Sequence, residues 1–146
     1  MSAPILSIEE LREHIADLPE LNHLLDGEEF SPTRITLAMG IAADKYNFFL
    51  PLSNANIYNF PSKHILLYGT LATLFEGQSA LMARNTMSYS DGGINIPVEE
   101  RMQLYQSLAA MYQASFESAG KSFKLQQNIE SGWGSVSSDY ASMPIW

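Results

Sequence analysis

The chain has 146 residues, of which 46% are hydrophobic and none is cysteine, so we predict a single domain with a core of its own. The absence of cysteine excludes a disulfide framework, a thiolate zinc site and a cysteine nucleophile. The net charge is −8, and eight of the 16 acidic residues precede residue 31, where Arg12 is the only base, so tight binding of nucleic acid is not expected.

The first helix is predicted to start just after Ser7. The run Ser7-Ile8-Glu9-Glu10 matches a capping box, in which the serine hydroxyl and the glutamate carboxylate each accept a hydrogen bond from the other residue's backbone N–H. An apolar stripe follows, and Pro19 is predicted to end this helix because proline cannot continue it.

A second helix is predicted to start at Ser31-Pro32, with serine at the N-cap and proline at the first helical position. The apolar residues that follow lie on more than one face, so we expect a mostly buried helix that ends before Pro51. These residues are Ile35, Leu37, Ala38, Met39, Ile41, Ala42, Tyr46, Phe48 and Phe49. The asparagine-rich stretch 52–60 is predicted to be a loop that covers neighbouring elements.

Two long helical patterns, roughly Pro61 to Thr86 and Pro97 to Glu130, flank the strongest chain-reversal signal in the sequence. That signal consists of Tyr89, Ser90, Asp91, Gly92 and Gly93. Glycine reaches positive φ without a clash and aspartate can bond its own backbone, so we predict a long antiparallel hairpin. The connection is either a plain loop between helices or, because it is longer than usual, a contact site for another subunit.

The third and fourth helices are predicted to form the core of a bundle. Gly69 and Gly77 stand among the apolar residues of the third helix, and two glycines there predict the close approach of a neighbouring backbone. Lys121 and Lys124 are predicted to lie largely off the apolar face of the fourth helix. That face carries aromatic residues at helical spacing, which is typical of a core, although such a stripe can also line a ligand pocket. They are Tyr105, Tyr112, Phe116 and Phe123.

These patterns predict an all-α fold with about four helices built on the long hairpin. Residues 1–130 are predicted to form the helical bundle domain and residues 131–146 an extended C-terminal arm. The arm has turn-forming composition but carries four large side chains, Trp133, Tyr140, Met143 and Trp146. Because tails are normally polar and aromatic residues are enriched as interface anchors, we predict that the arm binds another protein. The alternative is that it packs back along its own bundle.

No catalytic or metal-binding motif is found in the sequence. His14, His23 and His64 stand in different segments, and none has a carboxylate at metal-ligand spacing on one helix. A phosphate-binding loop and a nucleophile elbow are also missing. No apolar run approaches the roughly 18 residues that a membrane span needs. We therefore expect no enzymatic activity, no cofactor, no metal and no membrane insertion, in a protein made in the cytoplasm of the cell that produces it.

The second half of the sequence resembles small virion structural proteins of tailed bacteriophages. More narrowly, it is similar to their helical head-to-tail connector proteins. The resemblance covers roughly residues 60 to 146, including a long helix and a Gly- and Ser-rich tail. It is carried by Leu66-Leu67-Tyr68-Gly69, by Ala83-Arg84-Asn85 and by Met87-Ser88-Tyr89-Ser90-Asp91-Gly92-Gly93.

The resemblance implies a non-enzymatic adaptor at the head–tail junction of the virion. Adaptors of this kind are helical bundles that form a ring of about twelve copies below the portal protein. Many of them insert a C-terminal arm into the portal, and here the arm would bring Trp133, Tyr140, Met143 and Trp146 to it. The loop from Tyr89 to Gly93 would then contact a neighbouring copy or the next component of the neck or tail.

The acidic N-terminal segment would line the DNA channel of such a ring, with Glu9, Glu10 and Glu13 facing it. Negative walls favour passage without specific binding, because basic walls would hold the phosphates. The other explanation of these acids is a solvated face that keeps the protein soluble.

Two other functions remain open. Within the virion, the alternative is a neck, head-completion or other minor tail protein. Outside it, the alternative is a stand-alone helical module that binds a ligand or regulates a partner.

Overall fold

A computed structural model of the protein describes residues 3–22, 27–89 and 98–133. The regular structure of these residues is entirely helical, with no strand, and the helices pack as a bundle. In chain order the helices are α1 (Ile8–Ile15), α2 (Pro32–Asn47), α3 (Lys63–Tyr89) and α4 (Val98–Trp133). The predicted all-α class with about four helices is confirmed.

Helix α1 starts at the predicted capping box. The backbone N–H of Glu10 donates to Ser7 Oγ at 3.1 Å, and the backbone N–H of Ser7 donates to Glu10 Oε2 at 3.0 Å. The helix ends at Ile15, ahead of the predicted stop at Pro19. It ends early because Ala16 adopts a left-handed conformation, with φ of 55°, and its N–H closes back onto the preceding turn.

Helix α2 starts as predicted, where Ser31 Oγ accepts from the backbone N–H of Arg34 at 3.3 Å. Its outer face does not follow the prediction of a mostly buried helix. Ala42 is buried towards α3, whereas Leu37 is 65% exposed and Ile41 is 37% exposed. Because α2 packs mainly against α3, one side of the helix is buried, whereas its apolar pattern extends further around the helix.

Helices α3 and α4 make the most extensive contact in the described part of the chain. The rings of Tyr68 and Tyr112 lie 5.8 Å apart, and those of Phe75 and Tyr105 also lie 5.8 Å apart. Residue numbers therefore rise along α3 as they fall along α4, so the two helices run antiparallel. The connection between them, residues 90–97, lies outside the described residues.

Both long helices extend past their predicted ends. Helix α3 continues to Tyr89, beyond the predicted Thr86, and α4 continues to Trp133, beyond the predicted Glu130. Trp133 is thus the last residue of α4 rather than part of an extended arm.

The three longer helices meet most closely where α3 carries Gly69. A Cβ atom at this position would lie 2.7 Å from the ring of Phe116 on α4 and 2.8 Å from Cβ of Ala42 on α2. The prediction of a close approach therefore holds at Gly69, but the nearest atoms belong to side chains and not to the predicted backbone. It is wrong at Gly77, which is exposed and where an added Cβ would meet nothing closer than Arg34 at 3.6 Å.

Part of the acidic N-terminal region is used to close the bundle. Asp17 is buried, and its carboxylate accepts from the backbone N–H groups of Glu29 at 2.7 Å and Phe30 at 3.0 Å. Tyr105 on α4 donates its hydroxyl to Glu29 Oε1 at 2.5 Å. Burial and this neighbouring carboxylate raise the pKa of Tyr105. Asp17 and Glu29, two of the acids predicted to form a solvated face, are therefore used in contacts inside the protein.

Candidate interaction surface

Three large apolar side chains project from the segment that follows α2. Phe48 is 78% exposed, Leu50 is 79% exposed and Leu52 is 70% exposed. We call Phe48, Leu50 and Leu52 the apolar tip. Large apolar groups clustered on a surface mark contact sites for other molecules more often than single exposed residues do.

The backbone beneath the apolar tip is held in place by Lys124 of α4. Its ammonium group donates to the carbonyl oxygens of Phe49 at 2.6 Å and Pro51 at 2.9 Å, and lies 4.5 Å from the ring centroid of Tyr46. Burial lowers the pKa of Lys124, while the carbonyl oxygens and the ring face stabilise its charged form. A buried cation therefore ties the tip to α4.

Asn47 fixes the other side of the same segment. Its Oδ1 accepts from the backbone N–H of Ala55 at 2.7 Å and from Ser53 Oγ at 3.0 Å, and its Nδ2 donates to the Ala55 carbonyl at 2.8 Å. The tip side chains are thus exposed on a backbone that is already ordered. A preorganised contact site loses less conformational entropy on binding than a flexible one.

A second uncharged surface runs along the outside of α4. Its residues share one side of the helix and all are exposed. They are Leu104, Ser107, Met111, Ala114, Ser118, Ser122, Leu125 and Ile129, and we call them the outer α4 face. Met111 is 52% exposed and Leu125 is 60% exposed. A solvated helix face normally carries charged residues, and this one carries none.

The C-terminal end of α4 adds to this surface. Residues 125–132 are all exposed, although they continue the helix for two further turns beyond the buried Lys124. Isolated helical turns are marginal in water, because most helix stability in proteins comes from packing of an apolar face. Leu125 and Ile129 form an apolar face on these turns, and both side chains remain exposed.

The predicted channel-facing acids lie on α1 and are exposed. Glu10 differs from Glu9 and Glu13 because it also forms an ion pair of 2.7 Å with Lys63 of α3. The hydrogen bond from Lys63 and that from the Ser7 backbone lower the pKa of Glu10. Glu10 thus has a structural role, and the proposed contribution of all three acids to a channel stays a prediction.

The other predicted site residues fall mostly outside the described residues. Tyr140, Met143 and Trp146 of the arm and Ser90, Asp91, Gly92 and Gly93 of the loop belong to this group. Tyr89 is the last residue of α3 and Trp133 the last of α4, and neither side chain is described. The roles of the arm and of the loop stay predictions.

Sequence reasoning missed both the apolar tip and Lys124. Phe48 was assigned to a buried helix because it continues the apolar pattern of α2. Lys124 was placed off the core face, yet it is 2% exposed. The burial of Lys124 could have been predicted from its spacing, since Phe116, Gly120 and Lys124 follow one another at four-residue intervals and share one side of a helix. Phe49 packs into the space that Gly120 leaves open, where an added Cβ would lie 2.8 Å from the ring.

Within residues 3–22, 27–89 and 98–133, no group of three or more histidine, aspartate or glutamate side chains is arranged to hold a metal ion. No helix in this part of the chain is long and apolar enough to cross a membrane. Comparison with protein-family models, with curated proteins and with solved structures finds no match to this chain. The candidate site is therefore defined by its own geometry, as a pair of exposed surfaces without charged side chains.

Proposed function

We propose that the protein is a non-enzymatic structural protein of a tailed-phage virion, an adaptor that forms a ring below the portal protein at the head–tail junction. The single observation that supports it best is the apolar tip, where Phe48, Leu50 and Leu52 are exposed on a backbone fixed by Lys124. A structural subunit needs preformed contact surfaces, and the tip has that character. The sequence resemblance from residue 60 onward supplies the assignment to a connector.

In this proposal the contact with the portal and the contact with the neighbouring copy use different parts of the chain. The arm beyond α4 anchors each copy to the portal through Tyr140, Met143 and Trp146. The apolar tip and the exposed Leu37 and Ile41 of α2 contact the neighbouring copy. Such a contact is heterologous, since two different surfaces meet, and heterologous contacts close into rings when the rotation between copies allows it.

In the proposed ring, the remaining surfaces face the DNA channel or the neighbouring components. Glu9, Glu10 and Glu13 on α1 are exposed carboxylates that would face the channel and repel phosphates. The 90–97 connection would contact a neighbouring copy or the next neck or tail component. A neck or head-completion role would use the same surfaces at a different layer of the connector.

Electron microscopy of the protein co-expressed with the portal encoded by the same genome tests the proposal. Three forms are compared with wild type: a chain that ends at Trp133, a tip variant with Phe48→Ser, Leu50→Ser and Leu52→Ser, and the control Tyr58→Ser. Tyr58 is 53% exposed in the loop before α3, so its replacement removes a similar apolar group outside the tip.

Wild type and the Tyr58→Ser control are expected to add a complete layer to the portal ring. The chain that ends at Trp133 is expected to leave the portal bare, because it lacks the anchor. The tip variant is expected to attach without closing a ring. The proposal is overturned if wild type adds no layer, and the role of the tip is overturned if the tip variant closes the ring as wild type does.

A further inference from the structure

The outer α4 face has a spacing that is symmetric about Ser118. Ala114 and Ser122 lie four residues on either side of it, Met111 and Leu125 lie seven residues away, and Ser107 and Ile129 lie eleven residues away. If two copies of α4 run antiparallel with Ser118 opposite Ser118, seven of the eight residues of this face meet another residue of the same face, and Leu104 meets Gly132.

The sizes of these side chains fit one another in that register. Small residues surround the centre, where Ser118, Ala114 and Ser122 let two helices approach closely. Towards each end, Met111 faces Leu125 and the small Ser107 faces the larger Ile129. Pairing large with small side chains across a contact fills space without voids. In this pairing, the exposed turns of α4 beyond Lys124 also pack against a second helix.

Charges beside the face complement each other in the same register. Glu117 and Lys121 lie on one flank of it and form an ion pair of 3.3 Å within α4. A two-fold axis at Ser118 keeps this flank on the same side in both copies, so Glu117 of one copy lies within about one helical turn of Lys121 of the second copy. Along this flank the charges follow the order Lys121, Glu117, Glu117, Lys121, with the two chains alternating. The two close Glu117–Lys121 contacts between chains therefore outnumber the one close Glu117–Glu117 contact.

We infer that the outer α4 face binds a second copy of this chain, as an antiparallel helix pair with its two-fold axis at Ser118. This contact is isologous and closes with two copies, so it cannot by itself extend into a ring. It describes the protein before it joins a larger assembly and does not rest on the proposed function. Its failure would leave the portal experiment above unaffected.

Single cysteines test the register, because the chain has none of its own. A disulfide requires two Cα atoms within about 7 Å. Ser118→Cys is therefore expected to give a disulfide-linked dimer under mild oxidation, whereas Ser107→Cys is expected to form no disulfide between chains, since its counterpart in the second copy is Ile129. Combining Ser107→Cys with Ile129→Cys is expected to restore the crosslink. The three positions are exposed, so the fold is expected to tolerate each change.

The yield of crosslinked dimer separates the outcomes. Ser118→Cys is expected to exceed Ser107→Cys by at least roughly tenfold, because pairing raises the effective concentration of one thiol at the other. Equal crosslinking of both single variants would contradict the antiparallel register. Absence of crosslinking for Ser118→Cys would overturn the pairing altogether.

A second measurement tests the pairing without cysteine. Met111→Glu places a charge opposite Leu125 and is expected to convert the dimer to a monomer in light scattering. Gln106→Glu adds the same charge to an exposed position off the outer α4 face and is expected to leave the dimer intact. Circular dichroism verifies that both variants stay folded. A dimer that survives Met111→Glu, or a wild type that is monomeric at high concentration, contradicts the inference.

Discussion

The two sides of α4 differ in what they contact, although both are poor in charge. On the inner side, Phe116 is fully buried, and its ring lies where a side chain at Gly69 would otherwise be. On the outer side, Met111 and Leu125 are more than half exposed. One side is therefore complete within the chain and the other is not. The fold itself therefore uses one side of α4 and leaves the other side exposed.

The same contrast separates Phe49 from its neighbour Phe48. Phe49 packs against Gly120 and Phe116, whereas Phe48 is exposed on the apolar tip. Replacements on the inner side should thus change stability, and replacements on the outer side should change assembly. The predictions below test this division, and all stabilities should be compared at one protein concentration because self-association shifts the unfolding equilibrium.

The largest effect is expected for Phe116→Ala. Truncating a fully buried aromatic side chain removes its burial and leaves a cavity, and such changes typically lower the free energy of unfolding by about 3–5 kcal/mol. Urea denaturation followed by circular dichroism measures the loss. Gln106→Ala, at an exposed position of the same helix off the outer α4 face, is the control and should change the value by less than about 0.5 kcal/mol. Similar losses for both would break the division.

A smaller effect is expected for Gly69→Ala. The added methyl group would overlap the ring of Phe116 and Cβ of Ala42, and overpacking of this kind costs about 1–3 kcal/mol. Gly77→Ala is a matched control in the same helix, where the added Cβ has room. It should stabilise the protein by up to about 1 kcal/mol, because alanine is the better helix former. Thermal unfolding of the pair would contradict the account if both changes act in the same direction.

Lys124→Met tests how the apolar tip is held. The replacement keeps the apolar stem but removes the hydrogen bonds to the carbonyls of Phe49 and Pro51. Because hydrogen bonds from charged donors contribute about 1.5–3 kcal/mol, the free energy of unfolding should fall by an amount of that order. Hydrogen exchange in residues 48–55 should also become faster. Lys121→Met, an exposed lysine one turn earlier, should cost less than about 1 kcal/mol. Unchanged exchange in Lys124→Met would show that Asn47 alone fixes the segment.

The smallest effect is a pH dependence at Glu10. Its pKa in the folded protein is below the ordinary value of 4.5, chiefly because of the hydrogen bond from Lys63. The pair therefore stabilises the fold above pH 4.5, and this contribution is lost as pH falls through the lower folded pKa. Glu10→Gln should flatten that part of the stability profile. Parallel profiles for wild type and Glu10→Gln would contradict the pairing.

Much of this fold follows from local sequence signals. The caps at Ser7 and Ser31 were predictable because each depends on residues within one turn. The inner faces of α3 and α4 were predictable because apolar residues recur at helical spacing and the described side chains on those faces are at least partly buried. These features need no knowledge of distant neighbours.

The remaining features depend on which elements meet. Leu37 and Phe48 continue the apolar pattern of α2, and a pattern alone does not reveal that α2 has a packing partner on one side only. Lys124 is buried because a loop about 75 residues earlier in the chain turns its carbonyl groups towards it. The predicted arm and the 90–97 loop lie outside the described residues, so those parts of the candidate site stay predictions.

Amide hydrogen exchange in residues 125–133 tests the central claim most directly. If this end of α4 is completed by another chain, its protection should rise with protein concentration in wild type and stay low at every concentration in Met111→Glu, which cannot pair. Residues 108–116, on the part of α4 that packs against α3, should stay protected in both. Rapid exchange in 125–133 at all concentrations, or protection that does not depend on concentration, would contradict the account.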